Sequence, residues 1–470
     1  MIHTVLILAL FQHPAARSHP QARATVPQAP DTGAGRPCKV VIDTVGHYGR
    51  QVEVRPGETN LFAGGGVRAH CQASGSTLAA DSIAWFAGVG RLDLLGGVHI
   101  RDSSLSLDAT TASYFVRQER LDAHKNVVAV SHSTGSVLRG PNLVYYRAVK
   151  GIRDTVEIYA SSRPTIEYRS SGDSSGEPYV IVADRVRMKG SDRMWAGGDV
   201  TIDRSDFAAS ADSMMRDEIA GKSVLVGKPR VQGKGARGYT LTGRRIELVL
   251  AGREVRVIKA LGTGAAASAD WRLTADTIHM FVDHRKLQRA LAWGNSSRPR
   301  AVSSRHTIEA DSLALDAPDE VLTEARAFGH AHSTSQRDSS AAAQAERNWM
   351  TGDTIVAHWA PPPPPPPRAA SASRGGAAQL QRLVARGSAR ALTHMRGRRD
   401  SVTAAPSVNY SRGSVIDVTL RGDSVQQVLV TGRADGIELE PLPPAPPAGD
   451  TTKHGKPTAP ATSSPRRGRS

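Results

Sequence analysis

Along most of the chain apolar and polar residues alternate with a period of two. Leu105, Leu107 and Ala109 fall on one side, Ser104, Ser106 and Asp108 on the other. Ile246, Leu248 and Leu250 alternate with Glu247 and Val249, and Ile278, Met280 and Val282 with His279 and Phe281. Ile355, Ala357 and Trp359 do the same with Val356 and His358. Period two is the signature of half-buried strands, because successive side chains of a strand point to opposite faces. No stretch carries a convincing helical spacing. The pattern predicts an all-β protein.

The strands recur in a unit. Its first half holds a small residue, an Asp and a Ser or Thr, or a relative of that triplet. Examples are Ala80-Asp81-Ser82, Leu107-Asp108-Ala109, Ala183-Asp184-Arg185, Ala211-Asp212-Ser213, Ala275-Asp276-Thr277, Ala310-Asp311-Ser312 and Gly352-Asp353-Thr354. Its second half ends on a glycine or asparagine step, as at Gly96-Gly97, Lys125-Asn126, Gly197-Gly198, Trp293-Gly294 and Phe328-Gly329. From Asp81, Asp108, Asp184, Asp276 and Asp311 to the step that follows, the interval is 16, 18, 14, 18 and 18 residues. Asp and Ser cap bends through side-chain bonds to nearby amides, and glycine tolerates a bulge where a strand turns sharply. Each unit reads as strand, corner, strand and return, and stacked units bury one face of every strand along a continuous interior. Isolated hairpins in small domains and a closed barrel are the alternatives; membrane barrel strands are longer and carry aromatic girdles.

Several segments stand outside the repeat. Thr4 to Phe11 is a short apolar run followed by Ala22-Arg23-Ala24, the pattern of a cleaved export signal over 1–24, with a frayed N-terminus as the plain alternative. Residues 25–36 read as a disordered leader and 441–470 as a disordered, basic, proline-rich tail. Pro361 to Pro367 opens an insertion over 361–376, read as a long loop in one hairpin. The repeat fills 37–440, as one array or as two joined end to end near 240. In an oxidising compartment Cys38 and Cys71 suit one disulfide, with two inert thiols as the alternative.

Composition adds less. The hydrophobic fraction is 39% and aromatics are 5%, enough for a core and suited to thin β layers. A net charge of +16 favours acidic partners without choosing among them. Arginines are spread without the aromatic interleaving of a nucleic-acid platform, so no nucleic acid is expected. Gly221-Lys222-Ser223 resembles the end of a phosphate loop, but the earlier glycine position holds Arg216. His330 and His332 lack a third metal ligand nearby. The repeated Asp residues are too evenly spaced to form a catalytic pair. The expectation is a binding protein without metal, cofactor or turnover chemistry.

The run Leu92-Asp93-Leu94-Leu95-Gly96-Gly97-Val98-His99-Ile100, then Leu105-Ser106-Leu107-Asp108-Ala109-Thr110, carries a resemblance. It continues through Lys125-Asn126-Val127 to Leu138-Arg139-Gly140-Pro141-Asn142-Leu143-Val144-Tyr145-Tyr146. The order of a "G-N-V", an "L-x-A-D" and a "G-x-x-L-x-Y" strand resembles the OstA-like (organic solvent tolerance-like) family, the lipopolysaccharide-transport jellyrolls of the LptA, LptC and LptD type. It is best over Ala79 to Ala160, with weaker copies to about Leu439. The resemblance implies an elongated antiparallel β-jellyroll, or β-taco, with an apolar groove shielding the acyl chains of lipopolysaccharide or another acylated lipid. It implies a periplasmic place, at or near the outer membrane, and joining to other jellyroll transport proteins, or to copies of itself, by edge-strand addition. The chain departs from the family in its greater length, in lacking a barrel after the repeats and in lacking an N-terminal membrane helix. Alternation nominates Leu105, Leu107, Phe115, Val128, Val130, Leu143, Tyr145, Ile246, Leu248, Met280 and Val282 for the groove. For each the alternative is a packed core, as in a structural or adhesive β-solenoid, and each glycine or asparagine step carries a one-residue register risk.

Overall fold

A computed structural model of the protein describes residues 38–440, without 73–74, 171–175, 252–253, 336–346, 361–377, 396–405 and 422–423. The expected export signal, leader, proline insertion and basic tail lie outside the described residues. The fold is all-β and jellyroll-like. Every strand pairing is antiparallel, and the helical turns among the described residues are Val116–Gln118 and Pro318–Glu320, both 3-10. Two compact units divide the chain: residues 1–202 with 213–220, and residues 203–212 with 221–470.

In the first unit, strands Thr77–Phe86, Arg91–Arg101, Leu105–Phe115, Arg120–Ser131 and Val137–Tyr146 pair each with the next. Every one of these ladders breaks register near its middle: at 79/82, 95/98, 108/111 and 124/127. The breaks fall in one column, and there each strand bends from a first wall into a second. Further along the bend splits the strand outright. Glu157–Ser161 and Thr165–Tyr168 pair with opposite halves of Val137–Tyr146, and Arg185–Lys189 and Tyr179–Val182 pair in turn with them. The second unit repeats the plan. Glu254–Ser268, Trp271–Asp283, Glu324–Ser335, Trp349–Ala360, Gln379–Met395 and Ser407–Arg421 cross both walls, and split pairs such as Lys286–Trp293 with Arg300–Ser303 lie between them. Trp349–Ala360 and Gln379–Met395 pair up to Ala360 and Gln379.

The corner column holds the repeated Asp and Gly residues. Asp184 N–H donates to the Gly198 carbonyl at 2.9 Å, and Asp212 with Gly227 and Asp311 with Gly329 repeat that bond. Gly198 has φ +80°, and a Cβ there would overlap the Asp184 carboxylate. The same overlap would arise between Asp81 and Gly96 and between Asp353 and Gly387. Glycine is thus needed twice over, for its left-handed backbone and for the carboxylate packed on it. Asp108 does not belong to this column. Thr110 takes the place, its hydroxyl accepting from Asn126 Nδ2 at 3.3 Å. Asp108 lies on the outer face of the first wall, held by His99 at 2.7 Å and Arg101 at 2.8 Å.

Inward residues of the two walls meet in the interior of each unit. Near the corner they are small, as Ala80, Ala109 and Ala275. Toward the far ends of the strands they are Tyr114, Tyr145, Trp271 and Trp359. The cross-section is a wedge, and each buried Leu or Ile in it contributes about 1.5–3 kcal/mol relative to exposure. Cys38 and Cys71 form a disulfide with Cα atoms 5.3 Å apart, beside the Val40–Cys71 rung that starts the first unit.

Replacing Gly198 by Ala is expected to cost about 1–3 kcal/mol of unfolding free energy, since a non-glycine residue must adopt the left-handed region. Asp184→Ala in the same chain removes the carboxylate but keeps the Asp184 Cβ 2.8 Å from the new methyl, so it should recover part of the overlap and none of the backbone strain. Denaturant titration checks this; an unchanged Gly198→Ala midpoint would remove the corner from the argument.

Candidate functional site

Opposite the corner the free ends of the two walls come together along a seam, formed by the turns at the strand ends. In each unit the interior reaches solvent here, through cavities lined from both walls. In the first unit one of about 40 Å³ lies among Cys71, Leu78, Leu105, Tyr114, Glu119 and Arg147. A second, of about 80 Å³, lies among Ser104, Leu105, Tyr145, Ile158, Tyr168 and Met188. In the second unit one of about 30 Å³ lies among Ser333, Trp349, Met350, Leu383, Thr393 and Val425.

Polar bridges close the seam between these openings. Glu119 follows the Val116–Gln118 turn of the second wall with φ +49° and is 1% exposed. Its carboxylate accepts the Cys38 backbone N–H at 2.6 Å, the Tyr114 hydroxyl at 2.5 Å and Arg147 Nε at 3.1 Å. The Tyr145 hydroxyl donates to Asp102 at 2.9 Å, and Asp102 in turn caps the amides of Ser104 and Leu105, both at 2.7 Å. Tyr168 of the first wall donates to Glu218 of the second at 2.8 Å, and Arg216 binds Glu218 at 2.5 Å and Ser170 at 3.2 Å. In the second unit Glu320, 3% exposed and also left-handed, accepts the Arg237 backbone N–H at 3.2 Å. Each unit therefore has a buried glutamate from a turn of one wall capping a backbone amide of the other.

Burial shapes the protonation of these groups. It pushes the Tyr168 hydroxyl up to about 12, with Arg216 opposing and Glu218 assisting. Tyr114 and Tyr145 are raised further, by burial first and then by the Glu119 and Asp102 carboxylates. Burial works against the charge of Arg216, but Tyr168 and Glu218 outweigh it and hold the guanidinium charged.

The groove candidates divide by register. Leu105, Leu107, Leu143, Tyr145, Ile246, Leu248, Met280 and Val282 point inward and are buried, Leu107, Ile246 and Met280 at 0% exposure. Phe115, Val128 and Val130 point outward, against expectation. Residues 127–130 are apolar on both faces, so alternation has no polar partner there to fix the register. Pairing decides it: Val128 stands opposite outward Asp108, and Ala129 opposite inward Leu107. Tyr114 takes the inward place beside Phe115, whose ring lies 4.3 Å under the Arg120 guanidinium on the outer face. The sequence pattern did not single out the bridging groups of the seam: Glu119 with Cys38 and Arg147, Glu320 with Arg237 and Tyr168 with Glu218 are paired across 28 residues or more, and the nearby pairs Tyr114 with Glu119 and Arg216 with Glu218 carry no periodic signal.

Groups of three or more potential metal-binding His, Cys, Asp or Glu side chains are absent among the described residues. The residues converging on the seam are arranged to bind and to close over an apolar interior. No family model matches the chain, and neither does any curated protein. No helix among the described residues is long and apolar enough to cross a membrane.

Glu119→Ala removes the acceptor of the Cys38 amide, the Tyr114 hydroxyl and Arg147 Nε, and a loss of about 3–5 kcal/mol is expected, with Glu119→Gln costing less; unfolding titrations measure both. For Tyr168 the unfolded phenol ionises near 10 while the folded one holds its proton to about 12. The unfolded state then binds fewer protons, so stability falls as pH rises across that window and is unaffected below it. Tyr168→Phe should flatten that fall in a pH series of melting curves.

Proposed function

We propose that the protein is a carrier of lipopolysaccharide or another acylated lipid at the cell envelope, acting by binding without turnover chemistry. The observation that carries this reading is a continuous apolar interior in each unit, closed on the seam side by reversible polar bridges and not by sheet hydrogen bonds. Burying a methylene is worth about 0.8 kcal/mol, so a few carbons of an acyl chain among Leu105, Leu107 and Leu143 hold a lipid while its head stays in water. Polar bridges between turns can exchange their partners for water, whereas ladder bonds cannot part without unpairing strands. Support also comes from the order of the G-N-V, L-x-A-D and G-x-x-L-x-Y strands, which resembles lipopolysaccharide-transport jellyrolls. Partners of the same kind would add at the outer strands: Tyr48–Arg55 at one end of the first unit and Asp435–Leu439 at one end of the second expose Tyr48, Ile437 and Leu439.

A second reading, a structural β-solenoid with a packed interior, is favoured by one observation. Leu107, Ile246 and Met280 are fully enclosed by the chain's own side chains.

Photo-crosslinking in the cells that export the protein separates the two. A photoreactive residue at Leu105, near the seam, or at Leu107, deeper, should give a lipid adduct, and one at outward Asp108 should not. Folded variants with no adduct at either leucine would leave the packed solenoid.

A further inference from the structure

The cavity of about 80 Å³ at the seam of the first unit has an unusual lining. The chain carries a net charge of +16, and most of its turns bear arginine, lysine or acidic residues. None of the side chains lining this cavity is charged. Its rim is built of hydroxyls: Ser104, Ser131, Ser133, Thr134, Ser136 and Ser191. Its floor is the apolar set Leu105, Val156, Ile158 and Met188, and Tyr145 and Tyr168 stand in its lining. Both phenols donate to carboxylates that are not part of the lining, Tyr145 to Asp102 and Tyr168 to Glu218, and Asp102 also accepts from the rim hydroxyl of Ser104 at 2.9 Å. The rim is braced from within. Thr134 donates to Ser136 at 2.8 Å, and Ser136 ties to Arg169 through both its carbonyl and its amide, at 3.2 and 2.9 Å. Ser104, Ser133 and Ser191 remain exposed at the surface.

We infer that this cavity is a lateral portal for one alkyl chain whose head is uncharged and hydroxylated, a glycoside head in chemical terms. The inference rests on the acyl-carrier reading and narrows it by naming the head group the portal accepts. A volume of about 80 Å³ is several times what one water needs, enough to seat the part of a chain next to its head. The apolar floor then receives the methylenes and leads to buried Leu107 and Leu143. Serine and threonine hydroxyls both donate and accept, which matches a sugar's hydroxyls. A phosphate there would meet no cation among the lining side chains, since the Arg216 guanidinium stands behind the Tyr168 ring and is engaged by Glu218, and the phosphate would lose hydration with little compensation.

The test uses the full exported chain and three probes below their aggregation concentrations: dodecyl maltoside, dodecyl phosphate and maltose. The general positive field of the protein attracts the phosphate, so a preference for the maltoside has to come from the site. Calorimetry is expected to give maltoside binding at least tenfold tighter than dodecyl phosphate, and none for maltose. Met188→Trp, which fills the floor, and Ser133→Asp, which puts a charge on an exposed part of the rim, should each weaken the maltoside tenfold or more. The second variant keeps the test valid where circular dichroism shows the first to misfold. Dodecyl phosphate binding within tenfold of the maltoside, or maltoside binding indifferent to Ser133→Asp, overturns the portal while leaving an apolar carrier standing. Absence of binding by either alkyl probe overturns the carrier reading as well.

Discussion

Everything in this fold depends on making each strand bend at the same point. A flat sheet of this length would expose one apolar face along its whole width. Bending it in a column brings that face against itself, so a single sheet supplies both sides of its own core. The cost is local: a pleated strand resists a sharp turn, and the inward face has to survive the bend. The Asp–Gly corner meets both demands. The left-handed glycine lets the backbone turn, the Asp amide caps the glycine carbonyl, and the carboxylate fills the space a Cβ would occupy. On the strand Leu105–Phe115 the inward set passes from Ala109 to Ala112, so the corner changes the parity of the alternation and keeps both halves facing in.

The bend also dictates the composition on either side of it. At the bend the inward residue on one side is small, as Ala80, Ala211, Ala275 and Ala310, with Ile83, Met214, Ile278 and Leu313 next inside, and where the walls diverge the gap takes aromatic groups as well. The aromatic residues are few, and Tyr114, Tyr145, Tyr168 and Trp271 are spent at the wide end. Tyrosine suits that end because its ring is apolar and its hydroxyl reaches the turns. The hydroxyls then need acceptors, and Asp102, Glu119 and Glu218 provide them. The seam bridges thus follow from the taper of the wedge, which follows from the corner.

Much of this was legible in the sequence where one face of a strand is polar. Leu105, Leu107 and Ala109 among serines and Asp108 leave one register, and Ile278, Met280 and Val282 show the same phase inside. The repeated Asp and Gly residues mark the corner, because their roles are local and recur with each strand. Legibility ends where both faces are apolar, as in Val127 to Val130, or both neighbours aromatic, as in Tyr114 and Phe115. There the register is decided by the strand opposite. Asp108 misled because a lone letter was matched to the corner when the place belonged to Thr110. The seam was invisible for a different reason. Glu119 lies 81 residues from the Cys38 amide it caps, and only the folded sheet brings them together.

The two edges of each wall are unlike in what parting them would cost. At the corner the walls are one covalent chain, cross-braced by backbone bonds at strand after strand. At the seam they touch through side chains, several already at the water's edge, and a bridge such as Tyr145 to Asp102 exchanges one hydrogen bond for another when water enters. Glu119 and Glu320 are the exceptions, since a carboxylate buried to 1% or 3% is held by the amide it caps and resists exchange. Within each unit any opening would therefore pivot on the corner and spread from the stretches of the seam that lack such a glutamate. The uncharged hydroxyl rim between Tyr145 and Tyr168 is such a stretch, and the residues it uncovers first are the largest apolar groups of the wedge. On the carrier reading proposed above, a loaded interior would differ from the packed one in that an alkyl chain replaces the contacts the walls give up.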